Sequence, residues 1–121
     1  MFISLNHAKL DVYIVASEML LECYKLVLLL PEQERFNLSS QLRRAALSVK
    51  LNIAEGSSRK SFMERRRFYE IARGSAVELD TAFETAIQLG YFTLKNTEKV
   101  GELLNRCYRM LSKMIAKQES Q

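Results

Sequence analysis

The scarcity of residues that form turns constrains this chain more than any other feature. Its 121 residues include one proline, Pro31, and four glycines. An all-β domain needs a turn signal about every 10 residues, and this chain cannot supply them. Long helices with few connections are the remaining solution. We therefore expect an all-α protein in which residues 1–121 form a single domain, a length sufficient to bury a core.

Apolar periodicity and end signals divide the chain into four helices. The third is the best marked, because Ser61 and Glu64 have the spacing of a capping box and Gly90 occupies a C-cap position. Pro31 ends the first helix, and Ser39 is a good N-cap for the second. The short connections make neighbouring helices antiparallel, which predicts an up-down-up-down four-helix bundle. The expected helices cover residues 8–29, 39–57, 62–89 and 96–117.

The first helix has two apolar stripes, where a helix of a monomeric bundle needs only one. One stripe consists of Leu10, Tyr13, Ser17, Leu21, Tyr24 and Leu28. The other consists of Val12, Ala16, Met19, Cys23 and Leu26. We expect this second stripe to contact a neighbouring subunit, which predicts a ring-like homo-oligomer. The alternative is that one stripe is a set of ordinary exposed apolar side chains.

A polar line at helical spacing runs along the second helix beside its apolar face. A solvated line would be richer in Lys and Glu, so this one indicates a partly buried hydrogen-bond network. Folding the second and third helices back near residues 58–61 places Ser48 opposite Ala72 and predicts an ion pair between Arg44 and Glu78. A ligand site in the same place is the alternative. The predicted network comprises Gln41, Arg44, Ser48, Asn52, Glu55, Ser75 and Glu78.

Positive charge is concentrated around the connection between the second and third helices. Residues 41–73 contain nine basic and three acidic side chains. The three consecutive arginines at 65–67 point in different directions on a helix, so one internal salt bridge cannot engage them all. Arginine suits phosphate, and an exposed Tyr69 or Phe62 could stack on a base. A solvated bundle end is the alternative. The predicted nucleic-acid-binding residues are Arg59, Lys60, Arg65, Arg66, Arg67, Arg43, Lys50 and Arg73.

Few residues are suited to catalysis or metal binding. The lone histidine, His7, precedes the first helix, and the chain has no Glu-x-x-His pair, zinc-type cysteine spacing or Walker-type loop. Cys23 and Cys107 lie in apolar helical patterns, so we expect buried thiols in a cytosolic protein. Neither a signal peptide nor a membrane span is evident. We expect a cytoplasmic protein that is not an enzyme and uses no cofactor, metal or membrane.

Several short motifs form a recognisable pattern over about residues 9–115. Its centre is the block Asn52-Ile53-Ala54-Glu55-Gly56, preceded by the segment 41–48 and followed by Arg59-Lys60-Ser61. This pattern resembles that of the 23S rRNA-intervening-sequence proteins, a four-helix-bundle family also labelled S23 ribosomal protein. The family commonly has a proline and a small residue before the asparagine, where this chain has Lys50 and Leu51, so we expect a straighter second helix. Further matches are Leu30-Pro31, Glu34, Leu38, Phe68, Ile71-Ala72, Gly74-Ser75 and Glu78-Leu79.

The resemblance implies a homopentamer and kinship with the accessory variability protein of diversity-generating retroelements, a pentamer that binds nucleic acid and a reverse transcriptase. The family's own biochemical role is unsettled. Our leading hypothesis is a homo-oligomer that binds RNA or an RNA–DNA hybrid with little sequence preference, because phosphate contacts carry no base information. One alternative is an adaptor whose basic rim docks an acidic partner such as a reverse transcriptase. Another is a passenger of a selfish element that binds neither.

Overall fold

The computed structural model describes the backbone of residues 1–119 and the side chains of residues 1–118. Two 3-10 turns, Asn6–Lys9 and Glu32–Glu34, precede the first and second helices. No strand occurs among the described residues. The prediction of an all-α chain with four helices is therefore confirmed. These helices are α1 (Asp11–Val27), α2 (Leu38–Ser57), α3 (Phe62–Gln88) and α4 (Glu98–Glu119).

Local caps set both ends of α3 within one residue of the predicted bounds. At its start, Ser61 Oγ accepts a hydrogen bond from the backbone N–H of Glu64 at 3.0 Å. At its end, Gly90 has a φ of +82°, a left-handed conformation that glycine adopts without steric penalty. The backbone N–H of Tyr91 then donates to the carbonyl of Ala86 at 2.9 Å. This bond satisfies a carbonyl that the end of the helix would leave unpaired.

Two helices begin later than predicted. Helix α1 starts at Asp11 instead of residue 8, because Leu10 is extended, with ψ at 134°, and separates the helix from the preceding 3-10 turn. Helix α4 starts at Glu98 instead of residue 96. Before it, Thr93 and Asn96 each accept the other's backbone N–H with a side-chain oxygen, at 3.0 and 2.9 Å. These polar side chains stabilise a turn that competes with an earlier helix start.

The helices form a four-sided bundle in which α1 and α3 each pack against both α2 and α4. Two contacts show that neighbours run in opposite directions. The hydroxyls of Ser57 and Tyr69 lie 3.0 Å apart beside the α2–α3 connection, and Lys99 Nζ of α4 lies 3.2 Å from Glu22 Oε1 of α1. This arrangement is that of an up-down bundle. Its most buried large side chains include Met19, Leu42, Ile53, Leu79 and Leu111.

The stripe of α1 that was predicted to contact another subunit lies in the core of the single chain. All five residues, Val12, Ala16, Met19, Cys23 and Leu26, are at most 7% exposed. The assignment of the two stripes was wrong, because both have helical spacing and the packing of α2 and α4 against α1 decides which one is buried. The other stripe faces outward, with Leu21 64% and Leu28 84% exposed. An apolar surface therefore remains on α1, but it is the opposite one.

Part of the predicted polar network forms between α2 and α3. Ser48 Oγ lies 2.8 Å from Ser75 Oγ, and Asn52 Nδ2 donates to the carbonyl and hydroxyl of Ser48 at 2.9 and 3.1 Å. Ser48 thus faces Ser75 instead of the predicted Ala72, a displacement of about one helical turn. A further bond crosses the same seam from Gln41 Nε2 to Glu78 Oε2 at 3.5 Å.

The predicted ion pair between Arg44 and Glu78 does not form. Among residues 1–118, Arg44 makes no ion pair, and Glu78 accepts its hydrogen bond from Gln41. Glu55 also leaves the network, because its carboxylate pairs within α2 with Arg59 at 2.8 Å. Arg44 and Glu78 line the same surface hollow at the rim of the seam, where Arg44 is exposed, but they do not pair.

The two thiols match the expectation for buried, reduced cysteines. Cys23 and Cys107 are free and buried, and this burial raises the pKa of each thiol to about 12. Thiols with such a pKa are poor nucleophiles at neutral pH. No group of three or more His, Cys, Asp or Glu within the described residues is arranged to hold a metal ion. No helix in this part of the chain is long and apolar enough to cross a membrane.

Candidate nucleic-acid interface

Charge is divided unevenly between the two ends of the bundle. We define the basic half as the end where α1 and α3 begin and α2 and α4 finish, residues 1–16, 49–75 and 105–119. The acidic half comprises residues 17–48 and 76–104. The basic half has twelve basic and five acidic side chains, and the acidic half has six and nine. Their net charges of +7 and −3 make up the +4 of the whole chain.

Two of the predicted phosphate-binding arginines have strong partners within the chain. Arg59 Nη2 lies 2.8 Å from Glu55 Oε2, and its guanidinium covers the Phe68 ring at 5.0 Å. Arg65 Nη1 donates to the carbonyls of Arg59 and Lys60 at 2.9 and 2.8 Å. Its Nε donates to Gln118 Oε1 at 3.1 Å, so Arg65 ties the α2–α3 turn to the end of α4. We assign Arg65 to the structure of the turn.

The neighbouring cations are more accessible. Arg67 and Lys60 are exposed, and neither side chain forms a hydrogen bond or ion pair with residues 1–118. Arg66 is held on the surface of α3 by Glu70, with 2.7 Å between Nε and Oε1. Because a partner carboxylate must be displaced or shared when phosphate binds, Arg67 and Lys60 are the best placed of the predicted residues.

The structure separates three other predicted residues from the α2–α3 turn. Lys50 lies on the α1 side, with Nζ 5.3 Å from the centre of the Tyr13 ring. Arg73 lies on the α4 side and donates to Ser112 Oγ at 3.2 Å. Arg43 belongs to the acidic half, about 24 Å along α2 from Arg59 at the helical rise per residue. These three do not form one patch with the turn.

The proposed base-stacking side chains are also unsuitable. Tyr69 is buried, and its ring packs against Gly56, where an added Cβ would lie 2.7 Å from Cε1. The Phe62 ring is partly exposed, but the guanidinium of Arg65 lies 4.6 Å from its centre. Neither of these two rings is therefore free to stack on a base, and charge remains the main feature of the turn.

The helix α4 adds a basic line that the sequence analysis missed. Its members follow one another at steps of three, four and four residues, which places them on one face of the helix. Arg106, Arg109 and Lys113 line a surface hollow of about 300 Å³ together with Met110. The same helical spacing that identified the apolar stripes could have found this line in the sequence. Its four residues are Arg106, Arg109, Lys113 and Lys117.

Both the sequence and the fold of this chain are similar to those of known proteins. The model of the family described as 23S rRNA-intervening sequence protein matches residues 8–113. The chain belongs to this family. A crystal structure from Bacteroides thetaiotaomicron, of a protein of unknown function in the S23 ribosomal protein family, is similar, with a TM-score of 0.79 and 25% identity. The match covers 86% of this chain and 97% of that one. A search of curated proteins finds no significant match.

The residue block that carried the family resemblance has a structural role in this fold. Asn52 holds Ser48 at the α2–α3 seam, and Ile53 is fully buried in the core. Gly56 leaves the space that the Tyr69 ring occupies. Helix α2 is continuous through Lys50, as the absence of the common family proline predicts. The block from Asn52 to Gly56 thus determines how α2 and α3 pack, and therefore where the α2–α3 turn lies.

Proposed function

We propose that this intervening-sequence protein is a non-catalytic homo-oligomer that binds nucleic acid through the basic half of its bundle. The main support for this function is that twelve basic side chains lie in one half of the bundle, which has a net charge of +7. Phosphate is the ligand that such a surface attracts most strongly, through Coulomb attraction and release of counterions. Because Tyr69 is buried and Arg65 covers the Phe62 ring, neither aromatic beside the turn offers a free stacking surface, which favours contacts with the backbone over readout of bases.

RNA or an RNA–DNA hybrid is the proposed ligand, and the contact residues differ from the first expectation. Lys60 and Arg67 extend from the turn, and Arg106, Arg109 and Lys113 extend from α4. Lys60 and Arg67 lie near the α2–α3 turn and the three α4 residues lie along one face of that helix, so together they offer phosphate contacts at more than one place on a strand. Arg65 belongs to the supporting structure. We expect binding to depend little on the nucleotide sequence, since every nucleotide carries the same phosphate.

The experiment that tests this function is fluorescence anisotropy with a labelled single-stranded RNA of about 20 nucleotides at low salt. The triple variant Arg67→Gln, Arg109→Gln, Lys113→Gln should lose at least about tenfold in affinity. A matched triple variant, Arg35→Gln, Arg44→Gln, Lys95→Gln, removes the same charge from the acidic half and should bind like the wild type. Equal losses in both variants would show that only net charge matters and would contradict a defined interface.

An acidic partner protein is the competing ligand for the same cations. In the anisotropy assay, poly-glutamate at equal charge concentration should displace RNA poorly. Displacement as effective as that by unlabelled RNA would favour the adaptor function, with a partner such as a reverse transcriptase. The adaptor function is also the one that kinship with the accessory variability protein of retroelements would favour.

The proposed oligomer uses the outward stripe of α1, with five copies as the resemblance implies. Leu21, Tyr24 and Leu28 are exposed there and line one surface hollow beside Lys99 of α4. Sedimentation should give a mass five times the 14.0 kDa of one chain. Leu21→Glu should reduce the assembled fraction, whereas Phe36→Glu, a matched change at another exposed site, should not. A wild-type protein that sediments as one subunit would end this part of the proposal.

A further inference from the structure

A long groove runs between the second half of α3 and the first half of α4, in the acidic half of the molecule. It consists of two adjoining hollows of about 440 and 320 Å³, which share Asp80, Gly101 and Leu104 as lining residues. The space above Gly101 is open, because a Cβ added there would meet no atom within 4 Å. The glycine thus leaves the groove unfilled at this point. From Ala76 to Gln88, the α3 wall is about 18 Å long at the helical rise per residue.

The walls of this groove carry several large apolar side chains that are exposed to solvent. Leu94 is 80% exposed, Val77 51% and Tyr108 42%. Between them the groove reaches the edge of the core at Phe83 and Leu104. Contiguous apolar surface with a polar rim is typical of a site that another molecule covers.

The rim of the groove is acidic and has no internal counter-charge. Asp80 and Glu84 lie on the α3 side and Glu98 on the α4 side. None of the three forms an ion pair with any residue from 1 to 118. The nearest lysine in sequence, Lys99, is bound instead to Glu22 of α1 at 3.2 Å. Three uncompensated carboxylates in a chain of net charge +4 select a positively charged partner.

We infer that this α3–α4 groove docks a basic amphipathic helix of a partner protein. About three turns of helix fit the length of the groove, with apolar side chains at i, i+3 or i+4 and i+7 inserted between α3 and α4. Lysines or arginines on both flanks of that stripe then meet Asp80 and Glu84 on one wall and Glu98 on the other. Nucleic acid does not fit this site, because the carboxylates repel phosphate.

Most of the groove lies in the acidic half, and only its end at Asn105 and Tyr108 reaches the basic half that forms the proposed nucleic-acid surface. The two sites are therefore largely separate, and the inference goes beyond the proposed function without depending on it. A protein of this design holds a basic helix at one end and a polyanion at the other. Without such separation, the basic helix and the nucleic acid would bind each other.

The test uses a fluorescein-labelled synthetic helix of about 18 residues, with leucines at i, i+3, i+4 and i+7 and lysines on both flanks. Anisotropy is measured at 150 mM salt, where the Debye length is about 8 Å and long-range attraction is limited. The wild type should bind this peptide and should not bind an analogue with glutamate in place of lysine. The double variant Asp80→Lys, Glu84→Lys should weaken binding at least about tenfold. Glu18→Lys with Glu32→Lys, a matched change of charge elsewhere in the acidic half, should leave affinity within about twofold.

A second variant separates shape from charge. Gly101→Leu fills the groove without changing any charge and should also weaken peptide binding at least about tenfold. Circular dichroism checks that the variant remains helical, and RNA binding by the same protein should be unchanged. Unaltered peptide binding in Gly101→Leu or in the Asp80 and Glu84 variant overturns the inference. It is also overturned if either variant dissociates an oligomer of the wild type, because a second copy would then be the occupant.

Discussion

At the scale of single residues, the contact between Gly56 and Tyr69 is the tightest constraint on the α2–α3 pair. A Cβ built at Gly56 would lie 2.7 and 2.9 Å from two ring carbons of Tyr69. The ring is buried and hydrogen-bonded through its hydroxyl to Ser57, so it has little freedom to move away. We predict that Gly56→Ala lowers the free energy of unfolding by about 1–3 kcal/mol, as in other overpacked cores.

Urea unfolding followed by circular dichroism measures this effect. Gly74→Ala is the matched control, because Gly74 lies inside α3 with no atom within 4 Å of an added Cβ. Alanine is a better helix former than glycine, so the control should raise the free energy of unfolding by about 0.5–1 kcal/mol. Changes of the same sign in both variants would refute the steric role assigned to Gly56.

The three consecutive arginines of α3 should divide into structural and binding roles. Arg65 donates to two carbonyls of the turn and to Gln118, whereas Arg67 makes no such contact with the described residues. We predict that Arg65→Ala lowers the free energy of unfolding by about 1–2 kcal/mol, since hydrogen bonds from a charged donor are lost. Arg67→Ala should change stability by less than about 0.5 kcal/mol but should weaken RNA binding. The reverse pattern in urea unfolding and anisotropy would contradict this division.

Residue-level features were predictable where the signal is local and were missed where it depends on packing. The capping role of Ser61 and the left-handed Gly90 follow from neighbours within three residues, and both are confirmed. The contacts of Arg65 join it to carbonyls five and six residues earlier and to Gln118. Nothing in the spacing of three arginines shows which one turns back towards the chain, because that choice depends on how α4 ends beside α3.

At the scale of helices, Glu22 connects α1 to α4 in the acidic half. Hydrogen bonds from Lys25 and Lys99, at 3.0 and 3.2 Å, hold the pKa of this carboxyl below its usual value. A depressed folded-state pKa stabilises the protein above the unfolded pKa of about 4.3, and that stabilisation is lost as pH falls through the folded pKa. We predict that Glu22→Gln lowers the free energy of unfolding at pH 7 by up to about 1 kcal/mol.

The pH dependence distinguishes this effect from a loss of packing. The difference between wild type and Glu22→Gln should shrink as pH falls from the unfolded pKa of about 4.3 through the lowered folded-state pKa, where the wild-type carboxyl becomes protonated. Thermal unfolding from pH 7 to pH 3 would measure it. Glu18→Gln is the control, because Glu18 forms no ion pair with residues 1–118. A deficit in Glu22→Gln that persists unchanged at pH 3 would rule out the electrostatic explanation.

The helices themselves were easier to predict than the directions in which their faces point. Periodicity and caps place each helix within three residues of its observed ends, because both signals act within one turn. On α1, two adjacent apolar stripes compete for the core, and the choice between them depends on where α2 and α4 pack. The line from Val12 to Leu26 is buried, and the line containing Leu21 and Leu28 is exposed. Similarly, the basic line of α4 gains significance only when antiparallel packing brings the end of α4 to the start of α3, where Arg65 meets Gln118.

At the scale of the whole molecule, antiparallel packing converts a sequence with scattered charge into one with two poles. Residues 105–121 are far from the α2–α3 turn in sequence, yet Arg65 meets Gln118 at 3.1 Å. The twelve basic and five acidic side chains of the basic half therefore give that end of the bundle a net charge of +7. An approaching polyanion is attracted to that end and repelled from the other, which orients it before contact.

The salt dependence of RNA binding tests whether α4 belongs to the interface. For single-stranded nucleic acid, the logarithm of the binding constant falls with the logarithm of salt concentration by about 0.7 per phosphate neutralised. If Arg109 and Lys113 each contact a phosphate, the variant Arg109→Gln, Lys113→Gln should have a slope smaller in magnitude by about 1.4. Arg44→Gln with Lys95→Gln removes two charges from the acidic half and should keep the wild-type slope. A weaker binding constant with an unchanged slope in the α4 variant would mean that these residues attract RNA from a distance without touching it.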